Sequence, residues 1–403
     1  MLVGLSLAET ISWGVVYYSF SVFIRPIEAE TGWSRTQVTG AFSAALLASG
    51  LSAVPVGHWL DARGPRGLMT AGAVAGSLLL LALAGVESLP AFYAIWAGLG
   101  VVMAMVLYEP AFAVVATWFV RHRDRALTVL TVGGGLASTL VVPAATWLQQ
   151  RHGWRAAATG LAVALAVTTV PLHALLLRRD PSAVGQRPDG DPASTEDVAP
   201  VAPPRLGPVM AEGRFWGLTA AFTLASVAAV ATSVHVIPYL TERHYSPMAA
   251  GTVLGLVGFM QLPGRLVFGP LRRALSWPWA AAAVFLLQGA AIAVLALVPG
   301  RAGLGAFVCG FGMANGMCTL LRASMVAELY GPGRYGRVGG VLALFGTAGR
   351  AAGPVLASLA LAAGASYAAA FSALGGLLVA AALLVLLPWR LAPLAAEVAP
   401  SAT

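Results

Sequence analysis

The chain alternates long apolar stretches with short polar connections. A bilayer-spanning helix needs about 20 mostly apolar residues. Residues 178–214 are rich in Pro, Asp, Glu and Arg and have no hydrophobic period, so they predict a flexible linker. The pattern predicts an all-α integral membrane protein with a six-helix bundle over 1–177 and another over 215–403. Its twelve predicted spans are 2–24, 36–60, 67–86, 90–118, 125–149, 154–177, 215–240, 247–271, 277–299, 302–326, 335–363 and 366–388.

One short passage occurs twice, at an offset of 212 residues. Residues 21–34 read SVFIRPIEAETGWS and residues 233–246 read SVHVIPYLTERHYS. Each copy covers the predicted outer end of the first helix of a half and the turn into the second. Ser34 and Ser246 stand where a helix N-cap is expected, and the same offset pairs Gly57 with Gly269. A repeat across six spans indicates two parallel halves.

The charged residues exclude several functions. All 24 basic residues are Arg, so there is no Lys for a phosphate-binding P-loop or a Schiff base. With the linker inside, fifteen Arg fall on that side, which predicts cytoplasmic termini by the positive-inside rule. This layout explains the net charge of +8 without nucleic acid. The Arg, Ala and Gly usage indicates a GC-rich bacterial genome, so the expected location is the bacterial inner membrane. The six arginines predicted on the outer side of the membrane are Arg25, Arg35, Arg151, Arg155, Arg243 and Arg301.

The connection after the second predicted span carries a recognisable signature. Residues 57–66 read GHWLDARGPR, which resembles the G-x-x-x-D-R-x-G-x-R loop of the major facilitator superfamily, with Ala62 where a basic residue is usual. The resemblance extends over all twelve spans. It implies that Asp61, with Arg63 and Arg66, latches an inner gate. The second half keeps Gly269 but has Arg273 in place of the Asp.

Two further passages resemble the bacterial monocarboxylate and oxalate–formate branch of that superfamily. Residues 17–35 read YYSFSVFIRPIEAETGWSR, and Arg265 and Gly269 fit an R-x-x-x-G pattern in span eight. In that branch the Arg binds the substrate carboxylate, and a basic residue lies in span eleven, at or near Arg350. The resemblance therefore implies that Arg265 and Arg350 contact an anion. Gln261 stands where the branch commonly has an acid.

Ionisable side chains at membrane depth are functional candidates because they are costly to bury. A guanidinium fork matches a carboxylate, so Arg265 and Arg350 form a candidate anion clamp; structural pairing with a Glu is the alternative. Glu109, before the kink-promoting Pro110, either carries a proton or neutralises an Arg. The six candidates are Glu9, Glu109, Arg265, Arg322, Glu328 and Arg350.

Three of these candidates lie near predicted span ends. Glu9 shares a helix face with Trp13 and Tyr17, and a solvated, snorkelling role is favoured over proton coupling. The depth of Arg322 and Glu328 favours a gate ion pair over a ligand.

Several uncharged or weakly basic groups are candidates for lining a cavity, with helix packing as the alternative. Asn315 lies seven residues before Arg322, on the same face. The six His show no metal-ligand spacing, so no metal or cofactor is expected. The other candidates are Tyr17, Tyr108, His235 and Tyr239.

The leading hypothesis is a secondary transporter of small organic anions, working by alternating access and coupled to protons or to exchange. The alternative is an exporter of drug-like or amphipathic compounds, although span five lacks that group's Gly-Pro pair. No catalytic constellation supports an enzyme, and no additional soluble domain supports a sensor. The expected partners are the bilayer, an anionic substrate and protons, and the expected state is a monomer.

Overall fold

The computed structural model describes residues 1–191, 207–298 and 300–391, and every regular element there is a helix. The chain forms two compact units: Met1–Pro204 with Arg322–Ala348, and Arg205–Leu321 with Gly349–Thr403. Arg322–Ala348 groups with the N-terminal helices, which differs from the predicted boundary. The division into bundles over 1–177 and 215–403 therefore stays a prediction.

The first unit is built on helices before the linker and on parts of two later ones. Helix α1 is followed by a π-helical turn, Trp13–Tyr18, and then by α2. Helices α1 and α4 both pack on α7, and α3 packs on α5. The helices before the linker are α1 (Leu2–Ser12), α2 (Phe20–Thr31), α3 (Arg35–Arg63), α4 (Pro65–Ala84), α5 (Leu89–Val106), α6 (Tyr108–Trp118) and α7 (Arg123–Leu176).

The second unit contains most of the later helices. Helix α14 packs against both α9 and α11, and α10 packs on α9. The C-terminal part of α12, from Arg322, and the N-terminal part of α13, up to Ala348, belong to the first unit. The helices are α8 (Gly207–Met210), α9 (Gly213–Glu242), α10 (Pro247–Ala274), α11 (Trp277–Leu297), α12 (Gly300–Tyr330), α13 (Tyr335–Ala362) and α14 (Tyr367–Leu391).

The number of membrane spans follows from one broken helix. The described residues contain 11 helical segments long and apolar enough to cross a membrane. Helix α7 has 54 residues, or about 81 Å at 1.5 Å per residue, more than twice the bilayer core. Gly153 interrupts it with φ 80° and ψ 164°. Counting α7 twice gives the twelve predicted spans, and the all-α membrane fold is confirmed.

The repeated passage forms two capped helix starts. The Ser34 hydroxyl accepts a hydrogen bond from the Gln37 backbone N–H, and the Gln37 side chain accepts one from the Ser34 N–H. The Ser246 hydroxyl accepts from the Ala249 N–H. Each oxygen satisfies a backbone donor that the first helical turn leaves unpaired. Both predicted N-caps are confirmed.

The fourth predicted span is discontinuous. Helix α5 ends at Val106, Leu107 is extended, and α6 begins at Tyr108. Pro110 lies in the first turn of α6, where its missing N–H costs no helical hydrogen bond. The predicted disruption beside Pro110 is therefore a full break, and it puts Glu109 at a helix N-terminus.

The first part of the predicted linker is ordered. Pro181–Val184 and Pro188–Gly190 form short 3-10 helices. The Asp189 carboxylate accepts hydrogen bonds from the backbone N–H groups of Val120, Arg121 and His122, and Arg121 pairs with Asp191 at 2.6 Å. The prediction of a flexible linker is wrong for 180–191, and residues 192–206 of the predicted linker lie outside the described residues.

Candidate functional site

A carboxylate and a guanidinium meet beside the break between α5 and α6. The Arg322 Nη2 group, on α12, donates to Glu109 Oε1. The two side chains are only 21% and 23% exposed. Glu109 also lies at the positive end of α6, which stabilises a negative charge. The sequence offered two interpretations of Glu109, a proton carrier or the counter-ion of an Arg. This contact agrees with the second interpretation.

A narrow crevice adjoins this pair. Glu109 and the buried Tyr335 contribute to its wall, together with glycines of α3 and α13. At Gly57 an added Cβ would overlap the carbonyl oxygen of Gly336. Glycine at both positions lets the two helix backbones touch, so this part of the site depends on small residues.

Asp61 caps the start of α13. Its carboxylate accepts hydrogen bonds from the backbone N–H groups of Gly336, at 2.8 Å, and Arg337, at 3.0 Å. The Arg337 Nε lies 3.6 Å from the same carboxylate, whose side chain is only 2% exposed. An anion at a helix N-terminus satisfies unpaired donors and interacts favourably with the helix dipole. The contact has the form that the loop signature implies for Asp61.

The arginines of the signature lie elsewhere. Arg63 stacks on Trp59, with its guanidinium carbon 4.5 Å from the ring centre, and Arg66 is exposed. The arginine beside Asp61 is Arg337, which the sequence reasoning missed. No local pattern marks Arg337, because its contact depends on the packing of α13.

A second contact joins the start of α7 to the end of α12. Arg123 lies 3.9 Å from Glu328, and the Ser324 hydroxyl donates to Asp124 at 2.9 Å. Glu328 is 51% exposed, so its ion pair is partly solvated. Glu328 thus pairs with Arg123, while Arg322 pairs with Glu109. The sequence reasoning selected Glu328 but missed Arg123, Asp124 and Ser324.

Glu9 is fully buried in α1. Its side chain is 0% exposed, and its Oε2 accepts a hydrogen bond from the Trp13 indole N–H at 3.1 Å. Glu9 Oε1 has no hydrogen-bond partner among the described residues. The favoured prediction of a solvated, snorkelling carboxylate is wrong, because packing of α1 on α7 encloses this part of the helix.

Aromatic rings surround the break and the π-helical turn. The Trp13 ring centre lies 4.8 Å from that of Tyr108 and 5.1 Å from that of Tyr17. The Tyr108 hydroxyl donates to the Thr131 carbonyl. The structure therefore brings the predicted cavity residues Tyr17 and Tyr108 into one cluster, next in sequence to Glu109.

In the second unit the two candidate anion-binding arginines have different environments. Arg265 is 6% exposed, and its Nη2 donates to Gln261 Oε1 at a long 3.4 Å. Arg350 is exposed. Glycines bring α10 against α12, since a Cβ at Gly264 would overlap the carbonyl oxygen of Met313. This close packing keeps Arg265 away from solvent.

The remaining predicted cavity residues form hydrogen bonds within the second unit. Gln288 donates to Asn315 Oδ1 at 2.8 Å. His235 Nε2 lies 3.1 Å from the Pro354 carbonyl oxygen, and the Tyr239 hydroxyl donates to the Leu295 carbonyl. These contacts match the packing alternative for all three residues. No group of three or more potential metal ligands occurs among the described residues.

Two aspartates of the ordered linker segment lie outside the membrane spans. Burial alone would raise the pKa of Asp189, but the three backbone N–H donors hold it below its usual value. Its side chain is 2% exposed. The hydrogen bonds that Arg121 donates to the Asp191 carboxylate, together with the negative charge of Asp191, raise the pKa of the Arg121 guanidinium. Both shifts favour the charged forms that join 180–191 to the turn before α7.

Long apolar helices with ion pairs between them define a multi-pass membrane protein. The Major Facilitator Superfamily model matches residues 5–354. The chain belongs to this superfamily of transporters.

Several curated relatives are monocarboxylate transporters. Monocarboxylate transporter 13 of Bos taurus is 26% identical over 289 residues, 70% of this chain and 63% of that protein. Monocarboxylate transporter 11 of Homo sapiens is 28% identical over 347 residues, 79% of this chain and 68% of that protein. The chain thus spans less than two thirds of the first of these relatives.

Among solved structures, the chain resembles the major facilitator transporter FucP in its outward conformation. The TM-score is 0.74 at 12% identity, and the match covers 95% of this chain and 97% of FucP. At this identity the likeness establishes the fold alone.

Proposed function

We propose that this protein is a secondary transporter of small organic anions, with a carboxylate as the bound group. It works by alternating access in a bacterial inner membrane, with both termini in the cytoplasm. The observation that carries the proposal is Arg265, a permanent cation that is 6% exposed on a membrane-spanning helix.

The surroundings of Arg265 support an exchangeable anion as its ligand. A guanidinium cannot be neutralised by deprotonation in a protein and offers a planar fork that suits a carboxylate. Four residues earlier on α10 stands the neutral Gln261, whose oxygen lies 3.4 Å from Nη2. The neutral amide of Gln261 does not itself neutralise the positive charge of Arg265.

The relatives support the substrate class. Two of them carry the name monocarboxylate transporter at 26% and 28% identity.

Two further residues have roles in the proposed cycle. Arg350 has a secondary role in substrate entry, since it is exposed on α13. Asp61 supports alternating access, because its hydrogen bonds to Gly336 and Arg337 can break and re-form without chemical change.

Uptake into proteoliposomes tests the proposal. We expect purified protein to accumulate labelled L-lactate or pyruvate, and unlabelled carboxylates to compete. Arg265→Lys keeps the charge but loses the fork, so binding should weaken by about 1.5–3 kcal/mol, the contribution of one charged hydrogen bond. Arg265→Ala should abolish anion binding, measured by calorimetry in detergent. The matched control is Arg273→Lys, at an exposed position of the same helix.

A second candidate function, export of amphipathic compounds, is favoured by the aromatic cluster. Trp13, Tyr17 and Tyr108 offer stacking surfaces that suit flat apolar molecules. Ethidium efflux from the same vesicles separates the two functions. Ethidium transport without lactate or pyruvate uptake, together with wild-type behaviour of Arg265→Ala, would establish the exporter and refute the anion transporter.

A further inference from the structure

Glu9 is a buried acid with very little compensation for a negative charge. Its side chain is 0% exposed, and its one hydrogen bond from the described residues comes from the neutral indole of Trp13. Oε1 accepts no hydrogen bond from the described residues. Burial of an ionised carboxylate without a cation or several donors is strongly unfavourable. The neutral acid is therefore the form that fits this packing.

The charged groups on the neighbouring elements are engaged elsewhere or exposed. Helix α1 packs against α7, α6 and the π-helical turn. On α6, Glu109 pairs with Arg322, and the turn contributes only the tyrosines Tyr17 and Tyr18. Four titratable groups on α7 have partners elsewhere: Arg123 pairs with Glu328, Asp124 with Ser324, Arg155 with Glu30, and His173 with the Met69 carbonyl. The other three, Arg125, Arg151 and His152, are exposed.

The backbone next to Glu9 is unusual. Trp13 begins the π-helical turn Trp13–Tyr18, and such turns interrupt the regular α-helical hydrogen bonding, frequently at functional sites. The Trp13 ring lies 4.8 Å from that of Tyr108, the residue before Glu109. The hydrogen-bond partner of Glu9 thus contacts the helix start that carries the Glu109–Arg322 pair.

We propose that Glu9 is a proton-binding site that couples substrate transport to protons. In the described conformation Glu9 is a carboxylic acid. When the packing of α1 against α7 opens to water, the acid releases its proton to solvent and becomes a carboxylate. The substrate-loaded carrier recloses with one proton bound again, whereas the empty carrier returns with the carboxylate still exposed to water. One proton then moves with each monoanionic substrate, so the loaded cycle transfers no net charge. The coupling rests on the proposed function, whereas the protonation of Glu9 does not.

Infrared spectroscopy of the whole protein in detergent tests the protonation without a substrate. At neutral pH we expect the carbonyl band of a protonated carboxyl group in the wild type and its loss in Glu9→Gln. Trp13→Phe should keep the band but move it to higher frequency, because the acid loses its hydrogen bond. Glu87→Gln, at an exposed loop position, is the matched control and should leave the band unchanged. A band that is absent, or that survives in Glu9→Gln, overturns the proposal.

Transport in proteoliposomes tests the coupling. We expect a pH gradient to drive lactate or pyruvate uptake by the wild type, and an imposed membrane potential to have no effect. Glu9→Gln mimics the protonated acid, so it should lose at least tenfold in gradient-driven uptake yet retain exchange of labelled for unlabelled substrate. Gradient-driven uptake by Glu9→Gln at the wild-type rate overturns the coupling role. If neither compound is transported by the wild type, the proposed substrate class fails, and the infrared result still decides whether Glu9 is protonated.

Discussion

Glu109 and Arg322 form an ion pair within the first unit although 213 positions separate them in the chain. The pair joins the start of α6 to α12, and both side chains are largely buried. Because each charge compensates the other, removal of one weakens the compensation of the second.

We expect Glu109→Gln or Arg322→Gln to destabilise the protein by about 1–4 kcal/mol, between the values for exposed and buried ion pairs. The double variant Glu109→Gln/Arg322→Gln should be more stable than either single variant, because it removes both buried charges together. Thermal unfolding in detergent measures the three variants. Additive losses would mean that the two side chains do not stabilise each other.

Asp61 is expected to control the conformational cycle rather than substrate affinity. Asp61→Asn removes the negative charge and replaces one accepting oxygen by a donor, so at least one of the two hydrogen bonds to α13 is lost. The cost to the described conformation is about 1–3 kcal/mol. Transport should slow at least several-fold while the substrate dissociation constant changes less than twofold. The opposite pattern, a weakened affinity with an unchanged maximal rate, would place Asp61 in the binding site.

Gly57 and Gly269 are equivalent in the repeat but differ in their surroundings. A Cβ at Gly57 would overlap the Gly336 carbonyl oxygen, whereas a Cβ at Gly269 would meet nothing within 4 Å. Gly57→Ala should therefore destabilise the contact of α3 with α13 by about 1–3 kcal/mol. Gly269→Ala should be neutral or stabilising by up to about 1 kcal/mol, the difference in helix propensity. Equal effects on thermal stability would contradict the close approach at Gly57.

Asp189 is expected to hold residues 180–191 against the turn before α7. Replacement by Asn should speed hydrogen exchange of the peptide that contains Val120, Arg121 and His122, because their N–H groups lose a charged acceptor. Since the pKa of Asp189 is lowered in the folded protein, this stabilisation is present above the ordinary Asp pKa of about 3.9. It is lost as the pH falls through the lowered value.

The stability difference between wild type and Asp189→Asn should accordingly shrink on strong acidification. Asp180→Asn, which affects a different cap in the same segment, is the comparison variant and should leave exchange at 120–122 unchanged. Unchanged exchange in Asp189→Asn would show that this contact does not hold the segment.

The twelve spans, the two serine caps and a distortion of span four beside Pro110 could all be predicted from the sequence, although the full break at Leu107 could not. Each depends on local chemistry: the length of an apolar run, the spacing from a hydroxyl to the first helical N–H groups, and a proline that lacks a donor. The offset of 212 likewise predicted which positions of the two halves correspond.

Tertiary structure alone decided the partners of the charged groups. The contacts between Glu109 and Arg322, between Asp61 and Arg337, and between Asp189 and the turn at Val120 join residues 213, 276 and 69 positions apart. Hydrophobic periodicity shows which positions lie on one helix face, but it contains no information about which helix packs against that face. The same reason explains Glu9: its local sequence resembles that of a solvated helix end, and only the packing of α1 on α7 buries it.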